Sequence, residues 1–410
     1  MASPAVRLLP AAPSGWWAIF GKRAAFLPSS AVTEIRGDAE DASHTVDVDR
    51  GRQLVDTAAR RLTAIGFFRE ENVAFQATVL PAMACNLGCE YCFQNQPDSM
   101  QINAPRFAPR RRETPSMTTE VVDATVDFLR RRMSQAARGR LDLLLFGGEP
   151  LINLPGTLQL LTRAKTLGLR NATLVTNAVL LTPRTCDRLV EAGLTRIAVS
   201  LDGHRSAHDA TRHTRSGRPT YDGVIGNVLG AAAQYPNLRW RVRVNVDRKS
   251  LEGLPLLLKD LAPLPTLSNE VYWELGLVDD VGVGYSIDLS YSAVLAQQLI
   301  RINTEAIHHG FKIAPHAPKT ECPFCGDHGR TGCVVDADGA LYSNWEAAGD
   351  PAWRVGHVET GYDADVPEPW ATCGYGIRPH GDIHESRQFF DAIDQAALDA
   401  QRASGLATRV

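Results

Sequence analysis

Apolar positions along this chain change period many times. Short β-branched runs at 73–81, 141–146, 172–176, 196–201, 240–246 and 271–277 predict strands. Between them, repeats near 3.6 residues predict helices over 118–136, 157–167, 183–193, 221–234 and 251–262, with another at 291–310. Thr118 or Thr119 can cap the first of these, and Pro183 suits the first turn of the third. Strands alternating with helices predict an α/β chain with a parallel sheet and right-handed crossovers. Such a sheet stays open or curls toward a barrel, and in both cases ligands gather at the C-terminal ends of its strands. Upstream, 15–32 reads as short apolar strands and 48–65 as an amphipathic helix ending at Gly66, joined by a polar, acidic connection over 34–44. Beyond 315 the rhythm gives way to a Gly- and Pro-rich, loop-dominated tail.

Composition narrows the class. The 410 residues are 44% hydrophobic and 22% charged, which suits a soluble protein with one large domain and one or two small ones. A net charge of −3 gives no reason to expect nucleic acid or an anionic membrane as partner. The basic runs Arg110-Arg111-Arg112 and Arg130-Arg131-Arg132 read as solvated faces rather than anion sites. No apolar run reaches membrane-spanning length, and the stretch from Leu8 to Phe20 is broken by Pro10, Pro13 and Gly15. Eight unevenly placed cysteines point to metal or redox chemistry in the cytoplasm rather than to a secreted disulfide framework.

The candidate chemistry sits where the predicted strands end. After the first comes Cys85-Asn-Leu-Gly-Cys89-Glu-Tyr-Cys92. After the second comes Gly147-Gly148-Glu149-Pro150, after the third Thr176-Asn177, and after the fourth Ser200 to Gly203. Thiolates are the usual ligands of iron–sulfur clusters, and three on one tight loop leave one iron of a cubane open. A zinc knuckle is the alternative, but zinc sites usually add a second pair of thiols or histidines, and none lies nearby in the chain.

These segments together resemble the radical S-adenosylmethionine (SAM) superfamily over about 73–375, and within it the peptide- and protein-modifying branch with a C-terminal SPASM or twitch extension. Also similar are Phe146 to Leu151, His208-Asp209-Ala-Thr-Arg212, Arg243-Val-Asn245 and Asp336-Ala-Asp338-Gly339. The resemblance implies a partial (β/α)6 TIM barrel over 73–314, a small N-terminal α+β region over 1–72, and a loop-rich SPASM/twitch-like domain with a C-terminal helix over 315–410. It implies a 4Fe–4S cluster on Cys85, Cys89 and Cys92 that splits SAM into a 5′-deoxyadenosyl radical. Tyr91 would line the adenine pocket. Gly147 and Gly148 would let the backbone approach the cofactor, and Glu149 would meet its ammonium group. Thr176 and Asn177 would complete the cofactor site, Ser200 and Arg212 would hold the methionyl carboxylate, and Asn245 would bond to the ribose. No acid or base stands out for catalysis; Asp202 and Glu274 are the candidates. The pattern departs at Ala178, where glycine commonly follows Thr-Asn.

In the tail, Cys322, Cys325, Cys333 and Cys373 supply four thiols, enough to ligate one auxiliary 4Fe–4S cluster. Zinc is the competing metal, because C-x2-C also suits it. Asn344 stands where a SPASM domain usually has cysteine, so a shortened domain is expected, and Cys186 reads as an ordinary helix residue. The resemblance implies a maturase that crosslinks side chains of a ribosomally made peptide, with residues 1–72 recognising a leader or merely capping the barrel. A dehydrogenase or epimerase of a small molecule such as an amino sugar, and a sulfatase-activating type of enzyme, are the alternatives. An electron donor such as flavodoxin or ferredoxin is implied as partner, beside the precursor peptide.

Overall fold

The computed structural model describes residues 7–13, 15–20, 23–27, 74–92, 116–278, 289–316, 331–343, 345, 347–349, 351–364 and 383–406. The helix expected over 48–65, its acidic connection, Asn344 and three tail cysteines (Cys322, Cys325 and Cys373) lie outside the described residues.

The chain divides into two compact units. One gathers Met1–Val73, Ser290–Pro318 and His380–Val410. Here β1 (Arg7–Pro10), β2 (Trp16–Phe20) and β3 (Arg23–Leu27) form an antiparallel sheet in that order. Leu9, Trp17, Ile19 and Ala24 bury an apolar face together with Leu398 of the C-terminal helix Ile383–Ala403. The Trp17 indole donates to Asp399 (2.7 Å), so the ring is buried and its one polar atom is satisfied. The helix expected over 291–310 forms as Ala293–His308 and packs along the C-terminal helix in this unit.

The other unit, Ala74–Leu289 with Lys319–Pro379, carries the motifs. Strands β4 (Ala74–Ala82), β5 (Arg140–Gly147), β6 (Leu169–Thr176), β7 (Arg196–Leu201), β8 (Arg239–Val246) and β9 (Val271–Leu277) lie side by side in chain order, each pair parallel. Helices α1 (Thr119–Gln135), α2 (Leu154–Ala164), α3 (Pro183–Ala192), α4 (Arg205–Thr211), α5 (Tyr221–Gln234) and α6 (Leu254–Leu261) fill the crossovers. Thr118 caps α1 through the Val121 amide, and Thr182 with Pro183 starts α3. Burial alternates along β7 and β8: Ile197, Val199, Trp240, Val242, Val244 and Val246 are buried, while their neighbours are half-exposed. One sheet face therefore builds the core, and the other is left with polar side chains.

The sheet does not end at β4. Strand β10 (Gly332–Val335) pairs parallel with it, and β11 (Ala340–Tyr342), β12 (Arg354–His357) and β13 (Gly361–Tyr362) follow antiparallel. Leu80, Met83, Val334, Ala340 and Tyr342 share one core cluster here, so the tail is packed onto the strand that feeds the cysteine loop. No described helix is long and apolar enough to cross a membrane.

The turn after β6 explains the departure at position 178. Ala178 is fully buried and adopts φ 60°, the left-handed region that favours glycine. Ala178→Gly should change stability by less than about 1 kcal/mol, since relief of the left-handed strain is offset by the added unfolded-state entropy and the lost buried methyl. Urea unfolding of the two proteins checks this.

Candidate active site

The cysteine loop leaves β4 and is held from two sides. On one, the end of β5 lies against it: the Gly148 amide donates to the Ala82 carbonyl (3.0 Å) and the Glu149 amide to that of Ala84 (2.9 Å). A methyl group at Gly148 would stand 2.3 Å from the Ala84 oxygen, and one at Gly147 2.3 Å from that of Ala82. What these glycines admit in this structure is the loop's own backbone. On the other side, the turn after α4 clamps the loop. Gly88 donates to the His213 carbonyl, Arg215 donates through its amide to that of Asn86, and its Nε reaches the Cys85 carbonyl (2.9 Å). Cys85, Cys89 and Cys92 are all partly exposed.

Glu149 is fully buried, and the chain itself fills most of its acceptor capacity. Leu151 N–H (3.1 Å) and the Thr176 hydroxyl (2.9 Å) bond to Oε1, and Asn177 N–H (2.8 Å) bonds to Oε2. Three donors on a group with about four acceptor positions leave one for a further donor. Burial raises the carboxyl pKa, opposed by these bonds and by Arg212. The Asn177 side chain extends the network to Asn86 (2.8 Å) and to the Cys85 sulfur (3.7 Å).

A second network centres on the phenol of Tyr91. Its hydroxyl donates to the Asp202 carboxylate (2.7 Å to Oδ2) and accepts from Arg212 Nη1 (2.8 Å) and Asn245 Nδ2 (3.0 Å). Asn245 also donates to Asp202 (3.2 Å), and Arg212 lies 3.5 Å from the same oxygen. Four residues from the cysteine loop, the end of β7, the end of α4 and the end of β8 thus meet at one point. Arg212 is 8% exposed, and its Nε is buried without a partner among the described residues. Behind them His208 is held neutral, its pKa pushed down to about 3 by burial and then by Arg212. Its Nδ1 accepts from the Asp202 amide (3.4 Å), so Nε2 carries the proton toward the Thr220 hydroxyl (3.2 Å). That hydroxyl donates to the Arg212 carbonyl (2.5 Å).

Residues 79–237 match the Radical SAM superfamily. This stretch resembles a radical SAM domain. Among curated proteins, the chain is 30% identical over 209 residues to a GTP 3′,8-cyclase of Synechococcus sp. (strain CC9902), covering 49% of this chain and 53% of that one. It is 31% identical over 173 residues to an AdoMet-dependent heme synthase of Methanosarcina barkeri (strain Fusaro / DSM 804), 42% of each chain. The chain spans about half the length, or less, of these relatives. Among solved structures, anSMEcpe with bound AdoMet and Cp18Cys peptide aligns at TM-score 0.54 and 16% identity, covering 80% of this chain and 95% of that one. That likeness shows the shared fold.

A radical SAM domain implies SAM and a 4Fe–4S cluster, and the residues present fit both. Among the described residues, three partly exposed thiols share a loop, a buried carboxylate keeps one acceptor position, and a buried guanidinium keeps an orphaned N–H. Burial pushes the Cys89 thiol up to about 12 and raises that of Cys85, so both are protonated at neutral pH. Iron must displace those protons. The three-cysteine site is therefore expected to hold iron more firmly as pH rises from about 7 to 9, once the chelator's own gain in affinity over that range is subtracted; a flat corrected profile contradicts it.

The structure brings Tyr91, Asp202, Arg212 and Asn245 into one network and Glu149, Thr176 and Asn177 into another. Ser200 stands half-buried on β7 in register with Arg243, outside both. Glu274 lies on β9 between Arg243 (2.6 Å) and Arg241 (3.4 Å). Sequence reasoning missed the Tyr91 hydroxyl as a hub, and it missed His208, Thr220 and Arg215 as supports. The short segment His208 to Arg212 was the available signal, since His208 and Arg212 lie one helical turn apart.

Tyr91→Phe keeps the ring and removes the hub. It should lower stability by about 1–3 kcal/mol, because buried charged groups lose a shared partner. An unfolding midpoint equal to that of wild type would show that the hydroxyl holds nothing together.

Proposed function

We propose that this chain is a radical SAM enzyme that modifies a ribosomally made peptide by joining side chains, as a thioether, carbon–carbon or similar crosslink. The observation that carries the radical SAM part is the cysteine loop, clamped between the β5 turn and the turn after α4 beside Glu149 and Arg212. When bound, SAM and the cluster supply a carbon-centred radical that takes a hydrogen atom from substrate. The chain's own residues hold and orient. Glu149 would meet the ammonium group and Arg212 the carboxylate of SAM, Asn245 its ribose, and the Tyr91 ring its base.

A peptide substrate is supported by two things. The described N-terminal sheet has the order β1-β2-β3, and a sheet edge can take an extended peptide as an added strand. The fold is shared with anSMEcpe, which was solved with a peptide bound. On this reading the unit that holds Met1–Val73 recognises a leader, and the unit of Ala74–Leu289 with Lys319–Pro379 carries the catalytic barrel and the auxiliary site. A soluble donor such as flavodoxin or ferredoxin supplies electrons in the cytoplasm. The curated relatives favour a second reading, a small-molecule substrate, since their names point to GTP and to heme.

The auxiliary cluster belongs to the proposal. Of its four thiols, only Cys333 is among the described residues: it is 2% exposed on β10, its thiol pushed up to about 12 by burial. Closing a crosslink removes two hydrogens, and the radical takes one, so a proton and an electron must still leave. Cys333 would help to hold a fully ligated cluster, which would supply an acceptor for that electron.

The tests separate these parts. Replacing Cys85, Cys89 and Cys92 together by alanine should lower bound iron from about eight to about four. Cys333→Ala should also remove about four, if that thiol is a ligand. Full iron with lowered stability would instead make it a core residue. Incubation with a precursor peptide should yield a product lighter by two hydrogen masses, and an unmodified peptide beside a converted small molecule favours the second reading.

A further inference from the structure

Strand β8 presents Arg239, Arg241, Arg243 and Asn245 on the face away from its buried Trp and Val residues. On β9 the same face carries Tyr272, Glu274 and Gly276, with Arg243 opposite Glu274 and Asn245 opposite Gly276. The Arg243 guanidinium is fixed at two points: Nη1 bonds to Glu274 (2.6 Å) and Nε to the Asn245 side chain (3.3 Å). It lies directly on Gly276. A methyl group there would stand 2.0 Å from Nη2 and 2.2 Å from Cζ of Arg243. Gly276 is absent from the positive-φ residues, so its backbone is one that other residues adopt. Glycine at 276 is a matter of space for the guanidinium.

This niche holds a cation without covering it. Two guanidinium groups share the one carboxylate of Glu274, and both stay partly open to solvent: the side chains of Arg241 and Arg243 keep 42% and 40% of their exposure. Asn245 links the niche to the Tyr91 hydroxyl, one hydrogen bond from the cysteine loop. A rigid fork of donors in this position suits anions that offer two oxygens side by side.

We propose that Arg243, seated on Gly276 and backed by Glu274, anchors an anionic group of the substrate, a carboxylate or a phosphate, with Arg241 beside it. The inference rests on the proposed function only in taking the bound anion to be the substrate's. Arg241 and Asn245 remain to hold Glu274 and Tyr91 when Arg243 is changed, so the variants should fold.

Calorimetric titration of the iron-reconstituted protein tests it, with hexaglutamate and inorganic tripolyphosphate as separate probes and SAM as a third ligand. Wild type should bind at least one anion, hexaglutamate indicating a carboxylate and tripolyphosphate a phosphate. Arg243→Met and Gly276→Ala should each weaken that binding about tenfold or more while SAM affinity stays within about twofold. Arg243→Lys should fall between, since it keeps the charge and loses the fork. The proposal is overturned if wild type binds neither anion, if both variants bind as wild type does, or if SAM affinity falls in parallel, which would give Arg243 to the cofactor. Anion binding is read without turnover, so failure of the radical chemistry would leave this result standing.

Discussion

The buried carboxylate of Asp202 is the constraint around which this site is organised. It is 4% exposed, and burial raises its pKa, so an unassisted charge here would be expensive. Tyr91, Arg212 and Asn245 converge on it from three separate parts of the chain. Each of these groups is itself buried or half-buried and needs the others. Removing one member of such a set strands the rest, which makes the arrangement all-or-none rather than adjustable. Its consequence is positional: Tyr91 sits between two of the cysteines, so the network fixes the loop that carries them.

The rest of the unit serves the same point. The β5 turn crosses the loop at a distance only glycine permits, which delivers Glu149 to a fully buried place. His208 and Thr220 hold the backbone at Asp202 and Arg212, so the neutral imidazole works by its tautomer and not by its charge. The extra strands after β10 share a core with Leu80 and Met83, just ahead of Cys85. Packing of the tail and position of the thiols are thereby coupled.

Much of this was legible from the chain alone. The strands at 196–201 and 271–277 and the helix at 221–234 form over the expected residues, because period and burial agree there. The glycine pair and Glu149 announced a close approach, but the approaching backbone turned out to be that of the cysteine loop. The Tyr91 hub was not legible, since an aromatic inside a cysteine motif signals a ring and says nothing of its hydroxyl. The Arg243–Gly276 niche was also hidden: a period of two gives the face of a strand, not which guanidinium rests on which glycine across it. Ala178 was marked by its departure from pattern, and its φ of 60° supplies the reason.

On the proposed function, the clamped cysteine loop and the groups around it form one cofactor-splitting site. Formation of 5′-deoxyadenosine from SAM, measured by mass spectrometry after anaerobic reduction of the iron-reconstituted protein, tests this most directly. Wild type should release it steadily and Cys89→Ala not at all, although that variant keeps its fold by circular dichroism. Equal release from the folded variant would contradict it.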